Sequence, residues 1–109
     1  MKVHSILASG FKEIVYKDAL ETELRQEKIY YEREKSFKVQ YNGVVLERRF
    51  IVDFMVFNSI VLEIKANSFI HYENFRQTLN YLKASEIKLG LLINFGAARL
   101  EFHRIICTY

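Results

Sequence analysis

A layered α/β domain is predicted by three observations. Two stretches carry apolar residues at helical steps of three and four, short β-rich segments lie between them, and an almost wholly apolar strand follows the second helix. With 109 residues, half of them hydrophobic and 27% charged, the chain can build one core, so a single domain over residues 1–109 is expected.

Each element has its own signal. Val3 to about Ala8 reads as the tail of a helix ended by Ser9-Gly10. From Phe11 to about Ile29 the pattern is helical: Glu13, Tyr16, Leu20 and Leu24 form one stripe, with Phe11, Val15 and Ala19 beside it. Lys35 to Tyr41 alternates as a strand, and Asn42-Gly43 is a strong hairpin signal leading into Val44 to Glu47. Arg49 to Phe57 and Ile60 to Ala66 are the next two strands, rich in Val, Ile and Phe. Tyr72 to Ala84 forms a second helix with Phe75, Leu79 and Leu82 inward. Lys88 to Phe95 has the apolar run of a strand covered on both faces, and Phe102 to Cys107 adds an edge strand.

Composition narrows the function. A net charge of +3 permits a polyanionic partner. The single Cys107 rules out an intrachain disulfide and a cysteine zinc site, and fits a reducing compartment. No apolar run approaches membrane-spanning length and Met1-Lys2-Val3-His4 opens no signal-type segment, so a cytoplasmic protein with no membrane partner is expected. No glycine-rich phosphate loop exists, which argues against nucleotide hydrolysis.

The unusual feature is charge inside apolar strands. Asp53 sits inside one such segment, and Glu63 and Lys65 stand two apart in the next, on one face. Charged groups are seldom buried unless paired or metal-bound. Parity matters here. A strict two-residue hairpin at Asn58-Ser59 would place Asp53 and Glu63 on opposite faces. A three-residue loop over Asn58 to Ile60, or a bulge, would pair Asp53 with Lys65 and Met55 with Glu63, and all three charges would converge. Two carboxylates, a backbone carbonyl and waters make an oxygen cage suited to Mg²⁺ or Mn²⁺, which can polarise a phosphodiester and activate water. Lys65 would stabilise charge developing at phosphorus. The structural alternative is an Asp53–Lys65 ion pair with Glu63 at the rim. Glu13 is an acid on a stripe that should pack on the sheet, although a glutamate near a helix N-terminus also suits the dipole. Gln77 and Tyr81 form an i, i+4 pair on the second helix.

Taken together these positions form a pattern. Gly10-Phe11-Lys12-Glu13-Ile14-Val15-Tyr16 resembles the signature of the GxxExxY proteins, which are similar to the PD-(D/E)xK nuclease superfamily. Asp53, Val61-Leu62-Glu63-Ile64-Lys65-Ala66, Gln77, Tyr81-Leu82-Lys83 and Gly90-Leu91-Leu92-Ile93-Asn94-Phe95 continue the resemblance over nearly the whole chain. It implies a restriction-endonuclease-like core, a mixed β-sheet flanked by helices in the order α-β-β-β-α-β with an added edge strand. It further implies metal-site acids Glu13, Asp53 and Glu63, a catalytic Lys65 and a supporting Gln77. The implied function is hydrolysis of nucleic-acid phosphodiesters, DNA before RNA, with Mg²⁺ or Mn²⁺. The alternative is a nuclease-fold module that binds nucleic acid or protein without turnover.

Two departures stand out. The helix before the glycine turn is short, and Ala8-Ser9-Gly10 replaces the family's Gly-Pro-Gly. A clipped helix leaves apolar sheet surface uncovered, so a homodimer is expected. Other features have ordinary readings. His4, His71 and His103 lack metal-ligand spacing, and the tyrosines, which could stack bases, serve equally as core. Arg48-Arg49 with Lys35 and Lys38 could contact phosphates or simply face solvent. Glu21, Glu23, Arg25, Glu27 and Lys28 read as an exposed helix face.

Overall fold

The computed structural model describes residues 2–7, 10–97 and 99–108. Of the helix stop expected at Ser9-Gly10, Ser9 lies outside them, as does Ala8 before it. The elements are α1 (Lys2–Leu7), α2 (Glu13–Gln26), β1 (Tyr31–Tyr41), β2 (Val44–Val56), β3 (Ile60–Lys65), α3 (Tyr72–Ser85), β4 (Leu89–Asn94) and β5 (Glu101–Ile106). The sheet runs β1-β2-β3-β4-β5. Only β3 and β4 are parallel, and α3 supplies the crossover that a parallel pair requires. This is the mixed, helix-flanked sheet that the sequence predicts, with a restriction-endonuclease-like fold.

Local chemistry sets the boundaries. Gly10 takes φ +113, which a side chain would resist, and Lys12 is extended before the first turn of α2. At the hairpin, Tyr41 pairs with Val44 while Asn42 and Gly43 are both left-handed, as a type I′ turn demands. Helix α3 opens on reciprocal bonds between His71 and Asn74 and stops at Glu86, left-handed at φ +61.

Two expectations need correction. The segments Val44 to Glu47 and Arg49 to Phe57 are one continuous strand, and the interruption near Arg48 is a register shift: Lys38 pairs with Arg49 but Gln40 with Val45. The exposed acidic face of α2 is also not uniform. Arg33 of β1 reaches Asp18 Oδ1 at 2.7 Å and Glu21 Oε1 at 3.1 Å, while the Tyr31 hydroxyl donates to Glu21 Oε2 at 2.9 Å. These bonds fix α2 across the sheet and so aim its first turns at β2. They were invisible in sequence because Arg33 comes from a different element.

The sheet is covered on both faces. On the α2 side, Val3, Tyr16, Leu20 and Leu24 pack on Phe54, Leu62, Ile64, Ile93 and Phe95. Tyr16 is fully buried and stacks on Phe95 at 4.9 Å, and its hydroxyl accepts the Phe11 N–H. On the α3 side, Leu82 meets Val52, Met55, Val61 and Cys107, and the rings of Phe37, Phe50 and Tyr81 stack in sequence. Among the described residues no helix is long and apolar enough to cross a membrane.

A polar pin sits at the end of β4. Asn94 is fully buried and lies level with Lys65 in the parallel pair. Its amide donates to Asn67 O and Glu101 Oε1 and accepts from the N–H groups of Asn67 and Gly96. The chain leaving Lys65 is thereby held. Asn94→Leu keeps the volume but strands those buried backbone groups, and should cost about 2–4 kcal/mol in urea unfolding. A loss below 1 kcal/mol would show that the pin is dispensable.

Candidate functional site

The site begins with a turn. Strands β2 and β3 pair Val56 with Ile60, Met55 with Val61 and Phe54 with Leu62, leaving the loop Phe57–Ser59. The loop is odd in length, as convergence of the charges requires, but it sits one residue earlier than expected. Met55 therefore faces Val61 rather than Glu63, and Asp53 bonds to Glu63 rather than to Lys65. The reason is burial. Ile60 stays in the sheet beside Leu89, whereas Phe57, 57% exposed, is released to the turn, where both Phe57 and Asn58 adopt φ +54.

Beyond Phe54 and Leu62 the two strands no longer pair backbone to backbone. Side chains take over. The Asp53 N–H donates to Glu63 Oε2 at 2.7 Å, and the Ile64 N–H donates to Asp53 Oδ2 at 2.7 Å. Each carboxylate thus replaces a missing ladder bond of the opposite strand. Strand β2 turns over at this point. Val52 packs on the α3 side and Phe54 on the α2 side, although equal parity would put them on one face. Glu34, in the matching position on β1, takes φ +54.

Helix α2 contributes a residue that sequence reasoning missed. Lys17 Nζ lies 2.8 Å from Asp53 Oδ1 and 3.2 Å from Glu13 Oε2. The expected alternative, an Asp53–Lys65 ion pair, does not form; Asp53 pairs with Lys17 instead. A signal existed, because Glu13 and Lys17 stand at i, i+4 in the favourable order. The ammonium is largely buried, which works to lower its pKa, but bonding to Asp53 and Glu13 outweighs this and raises it.

The five predicted residues are distributed as follows. Asp53 and Glu63 meet directly, and Glu13 reaches them through Lys17. Lys65 is half-buried and forms no ion pair among the described residues, yet its charge bears on Glu63. Gln77 is exposed on α3 and makes no hydrogen bond to the acids among the described residues. With Asn74, Arg76, Asn80 and Tyr81 it lines an open groove of about 440 Å³. Tyr81 links that groove to the acids: burial raises its hydroxyl pKa first, and the charges of Glu63 and Asp53 raise it further. The three histidines serve structure. His4 bonds to Ala97 O, His71 caps α3 and His103 packs against Phe75.

A divalent cation fits this donor set in part. Asp53 and Glu63 each commit one oxygen to backbone and leave the other, Asp53 Oδ1 and Glu63 Oε1, outside those bonds. Hard oxygens on a buried, mutually repelling pair suit Mg²⁺ or Mn²⁺. Among the described residues no three acids converge as a ready-made cage, because Lys17 stands between Glu13 and Asp53.

Glu63 records the strain of this arrangement. Burial, then the charge of Asp53, pushes its pKa up to about 7, against the Asp53 N–H, Lys65 and Lys17, which pull it down; Tyr81 faces the same pair from α3. The folded protein therefore binds this proton more tightly than the unfolded chain. Its contribution to stability is complete below about pH 4.5 and is lost as pH rises through 7. Metal-free protein should lose roughly 3 kcal/mol from this group between pH 4.5 and 8. Glu63→Gln, which still accepts the Asp53 N–H, should flatten that part of the profile. Urea unfolding across pH checks both, and an unchanged slope in the variant would assign the titration elsewhere.

The sequence profile of the PD-(D/E)XK nuclease superfamily matches residues 1–105, so the chain belongs to that superfamily. Membership of the narrower GxxExxY family remains a resemblance. No curated protein sequence matches. Among solved structures, the fold is similar to that in the "Crystal structure of SSO0001", with a TM-score of 0.69 and 21% identity. The match covers 87% of this chain and 50% of that one, so the chain spans half the length of SSO0001. At this identity the likeness concerns the fold alone.

Proposed function

We propose that this superfamily member is a nuclease that hydrolyses phosphodiester bonds of nucleic acid, DNA in preference to RNA, using Mg²⁺ or Mn²⁺. The observation that carries the reading is the reciprocal Asp53–Glu63 crossing at the point where β2 and β3 part, with a lysine from another element on Asp53. Two acids buried together are costly, and the lysines offset their repulsion only in part, since Glu63 is still held well above its usual pKa.

In this reading Asp53 and Glu63 hold the metal and Glu13 supports it from the first turn of α2. A bound divalent cation would supply Lewis acidity at the phosphate and an ionised water. Lys65, placed two residues beyond Glu63 on the same strand, lends its ammonium to charge developing at phosphorus. Gln77 and Tyr81 orient the nucleic acid from the groove on α3. Exposed Arg48, Arg49 and Lys38 on the β1–β2 hairpin offer cations to the phosphate backbone.

The test is cleavage of plasmid, single-stranded DNA and RNA with Mg²⁺ or Mn²⁺. Asp53→Ala should abolish metal binding and turnover. Lys65→Ala should retain metal but lose about 10²–10³-fold in turnover. Salt-dependent binding with no cleavage of any substrate by the parent protein would identify a silent binding module instead.

A homodimer belongs to the same proposal. Ile6 and Phe102 are 67% and 63% exposed, and an apolar hollow of about 250 Å³ opens among Leu91, Ile93, Leu100 and Phe102. A second copy would bury this surface and bring two sites together. Light scattering at tens of micromolar protein should give twice the 13.0 kDa chain mass; a monomer there would overturn the dimer.

A further inference from the structure

Lys17 occupies a position that the proposed metal needs. Asp53 Oδ2 is committed to the Ile64 N–H, so Oδ1 is the oxygen left for a cation, and Lys17 Nζ already lies 2.8 Å from it. The same ammonium lies 3.2 Å from Glu13 Oε2. A divalent ion bound to Oδ1 would sit at roughly 2 Å from that oxygen, within a few ångströms of the ammonium, where two positive charges repel strongly in a partly buried site. Sharing the oxygen would carry that repulsion.

We infer that Lys17 is an internal counter-cation seated in the metal position, and that a divalent ion must displace it to bind. The inference rests on the nuclease reading and adds a residue to it. One movement of Lys17 uncovers two acids, Asp53 Oδ1 and Glu13 Oε2, so the third carboxylate becomes available to metal only as the ammonium leaves. The metal-free site is thereby neutralised by the chain itself, and weak metal affinity is the consequence. Lys65 cannot perform this role, because it forms no ion pair with either acid among the described residues. The side chain of Lys17 is 14% exposed, so it keeps some contact with solvent.

Calorimetric titration with Mn²⁺ alone, paired with thermal unfolding of metal-free protein, tests this. Lys17→Met should bind Mn²⁺ at least about tenfold more tightly than the parent, because a competing charge is gone. Its metal-free form should melt at a lower temperature, and saturating Mn²⁺ should raise that temperature more than it does for the parent. Lys17→Arg, which keeps the charge and fold, should bind Mn²⁺ no more tightly than the parent. Equal or weaker binding by Lys17→Met, or tighter binding by Lys17→Arg, overturns the displacement and leaves the nuclease reading intact. Should Lys17→Met fail to fold, Lys17→Gln, which also removes the charge, makes the same test with the same expected and overturning results. No Mn²⁺ binding by parent or variants would overturn the nuclease reading along with the inference.

Discussion

The structure around the acids depends on one exchange: Asp53 and Glu63 each accept the backbone N–H of the other's strand neighbourhood. Antiparallel strands that part leave donors unpaired, and a buried N–H without a partner is costly. The carboxylates supply the missing acceptors, so the strands can diverge without losing hydrogen bonds. That divergence opens the space in which two acids can act. It also orients them, since one oxygen of each is anchored to main chain, and the second oxygen of Asp53 is held by Lys17.

The surrounding elements serve this crossing. Helix α2 is tied to β1 by Arg33 through Asp18 and Glu21, and its Tyr16 is sandwiched into the core against Phe95. With the first half of α2 so fixed, the turn between Glu13 and Lys17 lies over Asp53. On the opposite face α3 brings Tyr81 against Phe50, close enough for its hydroxyl to sense both acids. Beyond Lys65 the Asn94 pin holds the chain to β4. Rigid secondary structure therefore supports the acids from three sides, as a preorganised site requires.

Much of this was legible in the sequence, for identifiable reasons. Periodicity marked both long helices, and the apolar run of β4 marked the centre of the sheet. Alternation showed that Glu63 and Lys65 share a face, and parity showed that the loop before them must be odd. The loop's position was not legible, because Phe57 and Ile60 are both apolar and only tertiary burial decides which is released. The unity of β2 was missed because charged Arg48 looks like a break when it marks a register shift. Lys17 was missed because a lysine on an amphipathic helix reads as solvated until the partner strand is in place. The role of Arg33 was hidden in the same way.

Charge balance is the last constraint. Three acids, Glu13, Asp53 and Glu63, stand near two lysines, Lys17 and Lys65, in a region where Glu63 is only 4% exposed. In the absence of metal the local sum is close to neutral only if Glu63 takes up a proton, which is what its raised pKa of about 7 describes. Adding a divalent cation to that neutral set without moving anything would make it strongly positive. On the proposed reading, releasing a proton from Glu63 and withdrawing Lys17 together would restore the balance, coupling metal entry to deprotonation and lysine movement.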